Sequence, residues 1–344
     1  NKVENNIDAV SPFLPVVSLF RGDVLESIHY GAVAVTNNKG ELIASYGDIE
    51  NVTYLRSSAK PFQILPFLEI EGELYFDFSV EEIALMCASH AGTNEHVRVA
   101  KQIQAKIGVG VDETGLLCGA HYPYDEASKY DLIREGVAPS PNHNNCSGKH
   151  LAMLSSCLAN KYPIENYVNF DHPHQNNIRN IFSKFTESKI IKKNFGIDGC
   201  SAPQYAFKIN ELATALINLF NSYHGNFEYA ENVKFVVNSI LANPLFIGGS
   251  KNLDSNLIKI SNKKIFCKGG AEGVFIFLHL KKGIFGILKV VDGNERVLPS
   301  ALYTLCKKFK ILSKEELKIF NSWNSFDLYN HAKVKIGDIK TIIE

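Results

Sequence analysis

The chain has 344 residues, with 36 lysines and arginines against 36 aspartates and glutamates, 45% hydrophobic residues and 21% charged ones. That composition excludes a disordered, collagen-like or small disulfide-stapled protein. The zero formal net charge argues against nucleic acid or an anionic membrane as partner, because those require clustered positive charge. No apolar run reaches the roughly 18 residues a spanning helix needs, and Asn1–Val10 is too polar for the apolar core of a secretory segment.

The stretch to about residue 56 reads as β. Leu14–Phe20 and Glu26–Val35 carry Val, Ile and aromatic residues in partial alternation, and Asn37-Asn38-Lys39-Gly40 supplies a turn before Glu41–Tyr46. From Ser57 to about Gly249 the pattern becomes helical, over Val80–Ala88, Val97–Ile107, Gly148–Leu158, Pro173–Thr186, Ala202–Phe220 and Tyr229–Leu241. Several of these follow cap residues, as Ser79 precedes Glu81 and Glu82. The last third returns to β as a meander over Lys264–Lys268, Gly273–Leu280 and Ile284–Val291, then a helix over Leu298–Phe309 and a strand near Ala332–Ile336. The expected fold class is α/β (α+β), a single catalytic unit over 1–344. Its mixed, mostly antiparallel sheet comes from both chain ends, about 10–56 and 260–344, and is flanked by helices, with a helical insertion over about 57–250.

Seven cysteines fall at 87, 118, 146, 157, 200, 267 and 306, an odd number with no CxxC pair. Reduced thiols in a cytoplasmic protein are therefore expected rather than a disulfide framework. Cys87, Cys157 and Cys306 sit in apolar runs and read as core, whereas Cys146 and Cys200 lie in polar loops.

Three motifs carry chemistry. In Arg56-Ser57-Ser58-Ala59-Lys60-Pro61-Phe62-Gln63 the spacing of Ser57 and Lys60 puts hydroxyl and amine on one face of a helical first turn. A desolvated Lys can serve as the base such a hydroxyl needs, and the turn's N–H groups could polarise a carbonyl. The plain alternative is a Ser cap and a surface Lys. Cys87-Ala88-Ser89-His90-Ala91-Gly92-Thr93-Asn94-Glu95-His96 offers a second hydroxyl, Ser89, or simply a polar helix end. Lys268-Gly269-Gly270-Ala271-Glu272-Gly273 puts a Lys and small residues at a strand end, where substrate can approach closely. The order SxxK, a Ser-bearing segment, then K-x-G is that of serine β-lactamases and penicillin-binding proteins. Two further loops, Asn142–His150 and Gly196–Gln204, hold Cys146, Lys149, Asp198 and Cys200, a donor set suited to zinc or to two buried structural thiols.

Read together, RSSAKPFQ (56–63), CASHAGTNEH (87–96), CGAHYP (118–123), NNCSGKH (144–150), DGCSAP (198–203) and GGAEG (269–273) resemble the rhizobial-type, class 3 L-asparaginases of the asparaginase II family. The resemblance spans nearly the whole chain. It implies a fold related to glutaminases and serine β-lactamases, a homodimer, and hydrolysis of L-asparagine to L-aspartate and ammonia. It implies Ser57 as nucleophile, Lys60 as its base, Ser89 as the second hydroxyl of a proton relay and Lys268 as the late active-site lysine. It also implies one zinc ion on Cys146, Lys149 and Cys200, structural or substrate-orienting, and a substrate surround of Arg56, Asp198, His150, Gly270 and Ala271. A zwitterionic substrate needs a cation, Arg56 or Lys268, and an anion, for which Asp198 is suited. Gly269 stands where a KTG-like motif has a hydroxyl residue. A glutaminase, a penicillin-interacting serine hydrolase and a non-catalytic zinc-holding interaction protein are the competing readings.

Overall fold

The computed structural model describes residues 13–108 and 115–343; Asn1–Val10 lies outside the described residues. In chain order the strands are β1 (Leu14–Arg21), β2 (Val24–Asn37), β3 (Leu42–Tyr46), β4 (Val52–Tyr54), β5 (Phe195–Ile197), β6 (Pro203–Lys208), β7 (Ile265–Gly270), β8 (Val274–His279), β9 (Ile284–Val290), β10 (Asp327–Tyr329) and β11 (Lys335–Thr341). Both chain ends build the main sheet, ordered β10-β11-β1-β2-β9-β8-β7, with β3 paired to β2 beside this path. Its pairs are all antiparallel; β2 meets β9 from Gly31↔Val290 to Asn37↔Ile284, and β1 meets β11 from Val17↔Thr341 to Arg21↔Gly337. The fold is thus mixed α/β with an antiparallel sheet drawn from both ends of the chain and helices packed against it.

Burial explains why alternation along these strands is only partial. β8 (VFIFLH) is buried at every position, so both of its faces are covered and its residues are a continuous apolar run. β2 is exposed over Val24–Ser27 but buried through Gly31–Thr36, where β3 and β9 flank it. The Ile209–Tyr223 helix packs on β2 and β9, and the Leu298–Lys308 helix packs on β1 and β11.

The structure redraws three expected elements. Ala202–Phe220 is not one helix: Pro203–Lys208 is β6, which pairs with β4 and β5, and the helix starts only at Ile209. Five buried residues in succession give that segment more contact as a strand between two others than its helix propensity offers. The last strand begins at Lys335 rather than near Ala332, because Lys333 turns the chain at φ 63° and its N–H bonds Asn330. The Val80–Ala88 helix stops at Met86, so Cys87–Thr93 is irregular and the next helix opens at Asn94, inside the motif.

One glycine fixes the helical layer beside the site. A Cβ at Gly148 would stand 2.0 Å from the Leu85 carbonyl oxygen, so only glycine lets the Ser147–Asn160 helix lie against Val80–Met86. That close packing carries the adjoining Cys146 and Lys149 into the interior, where they are 5% and 2% exposed.

Candidate active site

Strand β4 runs through Leu55 into a 3-10 turn, Arg56–Ala59, which passes directly into the helical turn Lys60–Gln63. Arg56 adopts φ 51°, the kink that turns the chain out of the sheet. Ser57 opens on a cleft of about 630 Å³ that Ser89, Asp254, Lys268, Gly270 and Ala271 also line. Lys60 is buried behind it, and its amine donates to the Ala88 carbonyl and lies 3.2 Å from Ser89 Oγ. Among the described residues no hydrogen bond joins Ser57 Oγ to Lys60 Nζ. The lysine of the SxxK motif is therefore turned to the second hydroxyl.

From the opposite side, Lys268 on the edge strand β7 brings its ammonium to 3.1 Å from the same Ser89 Oγ. Its other partners are the Gly269 carbonyl at 2.7 Å and Asp254 Oδ2 at 3.4 Å. Ser89 itself is held by its backbone N–H on the Ile247 carbonyl at 2.8 Å. Gly270 closes the site from the sheet: a Cβ there would stand 2.5 Å from the Leu55 carbonyl oxygen and 3.2 Å from the Ser57 nitrogen. The strand and the Ser57 turn approach backbone to backbone.

Lysine is almost never fully buried without a reason, yet Lys60, Lys149 and Lys268 are all among the largest buried side chains. Burial lowers the Lys60 pKa below its ordinary 10.5, and the charges of Lys149 and Lys268 act in the same direction. A lysine so placed can exist as the neutral amine a proton transfer requires.

The two polar loops meet as well. Lys149 Nζ is 2.9 Å from Cys200 Sγ. The neighbouring Cys146 thiol holds the Cys200 pKa down to about 5 against the cost of burial, with Lys149 assisting. The Cys200 side chain, with burial, pushes Cys146 up to about 12. Burial disfavours the charge on Lys149, but Cys200 and Cys146 outweigh it and raise the lysine. Two cysteines and a lysine gathered at these loops offer sulfur and nitrogen donors that would fit zinc, whose binding would displace the protons of Cys146 and Lys149. Among the described residues no group of three or more His, Cys, Asp and Glu is placed to hold a metal, so the amine would have to be the third donor.

The L-asparaginase II family profile matches residues 17–341. The chain belongs to the L-asparaginase II family. Membership makes it an amidohydrolase acting on a small-molecule amide. No curated protein matches the chain. Among solved structures, one from Bacteroides dorei DSM 17855, provisionally named a β-lactamase, is 14% identical, covering 80% of this chain and 93% of that one at a TM-score of 0.40. A β-lactamase from Mycobacterium bovis is 8% identical, covering 85% and 92% at a TM-score of 0.35. No described helix is long and apolar enough to cross a membrane.

Within this asparaginase II chain, Ser57, Ser89, Lys268, Gly270 and Ala271 share the cleft, with Lys60 directly behind Ser89. Arg56 and Asp198 do not line it: they pair with each other, Arg56 Nη2 lying 2.9 Å from Asp198 Oδ1. Burial opposes the Asp198 charge, but Lys149 and Arg56 together hold the carboxyl below its usual range. His150 is buried away from the cleft lining, with Nδ1 2.6 Å from Tyr167 Oη, and burial depresses its pKa to about 3. His90 and His96 have structural partners, Ser147 Oγ at 2.7 Å and the Thr93 cap. All seven cysteines are free and buried. Cys267 donates to the Asp254 carbonyl and Cys118 to that of Pro141. Sequence reasoning missed Asp254, Tyr124, Asn145 and Glu295, all on the cleft wall. Asn252-Leu253-Asp254-Ser255 reads only as a helix start, so no signal marked Asp254 beforehand.

Proposed function

We propose that the protein hydrolyses the side-chain amide of L-asparagine to L-aspartate and ammonia through an acyl-enzyme on Ser57. The observation that carries this reading is Ser89 Oγ bridging two buried lysines in a cleft shared with Ser57. Ser57 gives its proton through Ser89 to neutral Lys60 as its Oγ attacks the amide carbon, and the C=O electrons move to oxygen. Backbone N–H groups at the start of the Ser57 turn stabilise that oxyanion. When the C–N bond breaks, the proton held by Lys60 returns through Ser89 to the departing nitrogen, which leaves as ammonia. Water then adds to the aspartyl ester, its proton follows the same path to Lys60, and Ser57 recovers a proton as the ester bond breaks.

Arg56 and Asp198 are the charged pair offered to a zwitterion. Binding an amino acid there would divide the present ion pair, with the α-carboxylate taking Arg56 and the α-ammonium taking Asp198. Cys146, Lys149 and Cys200 would hold one zinc ion, which supplies a fixed positive charge that organises these loops or orients substrate. A homodimer and a cytoplasmic setting complete the reading; sedimentation and cell fractionation test them. The deciding experiment is ammonia release from L-asparagine and L-glutamine by the purified chain and by Ser57→Ala, with and without added zinc. Release from asparagine that Ser57→Ala abolishes supports the reading. A Ser57→Ala variant as active as the parent removes it, and a preference for glutamine changes the substrate.

A further inference from the structure

We propose that Asp254 is a positioning residue of the relay: its carboxylate anchors the Lys268 ammonium so that one N–H stays on Ser89 Oγ, leaving Lys60 to take the proton. This inference rests on the Ser57–Ser89 reading above. Asp254 is 4% exposed and lies at the start of the Leu253–Ile260 helix, which packs on β7. Both of its oxygens accept hydrogen bonds. Oδ1 accepts from the Ser255 N–H at 2.8 Å, and Oδ2 accepts from the Gly269 N–H at 3.3 Å and from Lys268 at 3.4 Å. β7 is an edge strand, so the carboxylate bonds one of its amides where a further strand would otherwise sit.

On Lys268 the match between donors and acceptors is complete. An ammonium has three N–H bonds, and Nζ has three acceptors: Ser89 Oγ, the Gly269 carbonyl and Asp254 Oδ2. With 1% of its side chain exposed, Lys268 has no water to replace a lost partner. A buried charge is retained only when paired and hydrogen-bonded. Glu295 also lines the cleft, but the ion pair of Lys268 is with Asp254. Asp254 has no hydrogen bond to Ser57 or Ser89, and its link to Ser89 runs through Lys268.

The test uses the full chain as wild type, Ser57→Ala, Asp254→Asn, Asp254→Glu, Lys268→Met and the Asp254→Asn/Lys268→Met double variant. Ammonia release from L-asparagine and the urea midpoint are measured for each. Asp254→Asn is expected to lower kcat by about tenfold or more while KM stays within about threefold, and Asp254→Glu to recover part of the loss. Each single substitution strands a buried polar partner, so the double variant should unfold at a midpoint no lower than either single one. A kcat for Asp254→Asn within about twofold of wild type, or a loss carried wholly by KM, overturns the proposal. If the wild type releases no ammonia, the asparaginase reading falls and the urea cycle decides alone. Coupled midpoints then support the anchoring, and additive midpoints overturn it.

Discussion

Adjacent glycines in β7 should respond to the same substitution in opposite ways. Neither has a positive φ, so backbone strain does not separate them. An alanine Cβ at Gly270 would stand 2.5 Å from the Leu55 carbonyl oxygen and 3.2 Å from the nitrogens of Ser57 and Ser58. At Gly269 the nearest atoms, Asp254 Oδ2 and the Phe275 ring, are 3.6 Å away, in ordinary contact. Gly270→Ala must therefore open the strand and the Ser57 turn by roughly 0.9 Å, and both sides are backbone that cannot rotate away. Overpacking of this kind costs about 1–3 kcal/mol of stability. A nucleophile displaced by about half that gap loses on the order of 10- to 100-fold in kcat. Gly269→Ala should change neither quantity by more than about 0.5 kcal/mol or twofold. The assay is urea unfolding together with steady-state ammonia release from L-asparagine for the two variants side by side. A Gly270→Ala enzyme that matches Gly269→Ala in both would refute the claim that backbone contact positions Ser57.

Three further outcomes follow from the same geometry. Burial lowers the Lys60 pKa, and the base acts when neutral, so kcat/KM should rise with pH through that depressed value and level off above it. Lys60→Met should remove this limb and cost about 10²- to 10⁴-fold; a profile unchanged in Lys60→Met assigns the limb to another group. Cys200→Ser should lower bound zinc, measured by mass spectrometry of the dialysed protein, because it replaces the thiolate that Cys146 and Lys149 both face; undiminished metal would place the ion elsewhere. Gly148→Ala should destabilise the fold by at least about 3 kcal/mol in urea, since its Cβ would meet the Leu85 carbonyl at 2.0 Å. A cost below about 1 kcal/mol would mean that the two helices separate freely.

How much of this was readable in the sequence depended on how local each signal was. The meander β7–β9 and the helix at Leu298 were legible because pattern, turn residues and burial agree there. β6 was not, because what makes Pro203–Lys208 a strand is pairing with Val52–Tyr54 and Phe195–Ile197, far away or across a loop. The SxxK motif marked Ser57 and Lys60, and spacing alone paired the lysine with Ser57. The structure turns it to Ser89, a residue 29 positions on, through a bond to the adjoining Ala88 carbonyl. Lys149 and Cys200, on two loops 51 positions apart, meet at 2.9 Å, a contact that neither motif encodes by itself. Arg56 and Asp198, read as separate substrate contacts, meet across 142 positions as an ion pair.

Ser89 Oγ stands between two lysines whose surroundings differ. Both amines lie within 3.2 Å of Ser89 Oγ, so their nitrogens can be no more than about 6 Å apart. Two unit charges at that distance repel by about 3 kcal/mol at an effective dielectric near 20. That is about a hundredfold against double protonation. Lys268 has a carboxylate 3.4 Å away, whereas the polar partners of Lys60 are a neutral carbonyl and the Ser89 hydroxyl. The charge of Lys268 therefore acts on Lys60 in the same direction as the cost of its own burial. Under the proposed mechanism, Lys60 as the neutral amine would be the acceptor beside the shared hydroxyl, and a proton entering at Ser89 would move toward it.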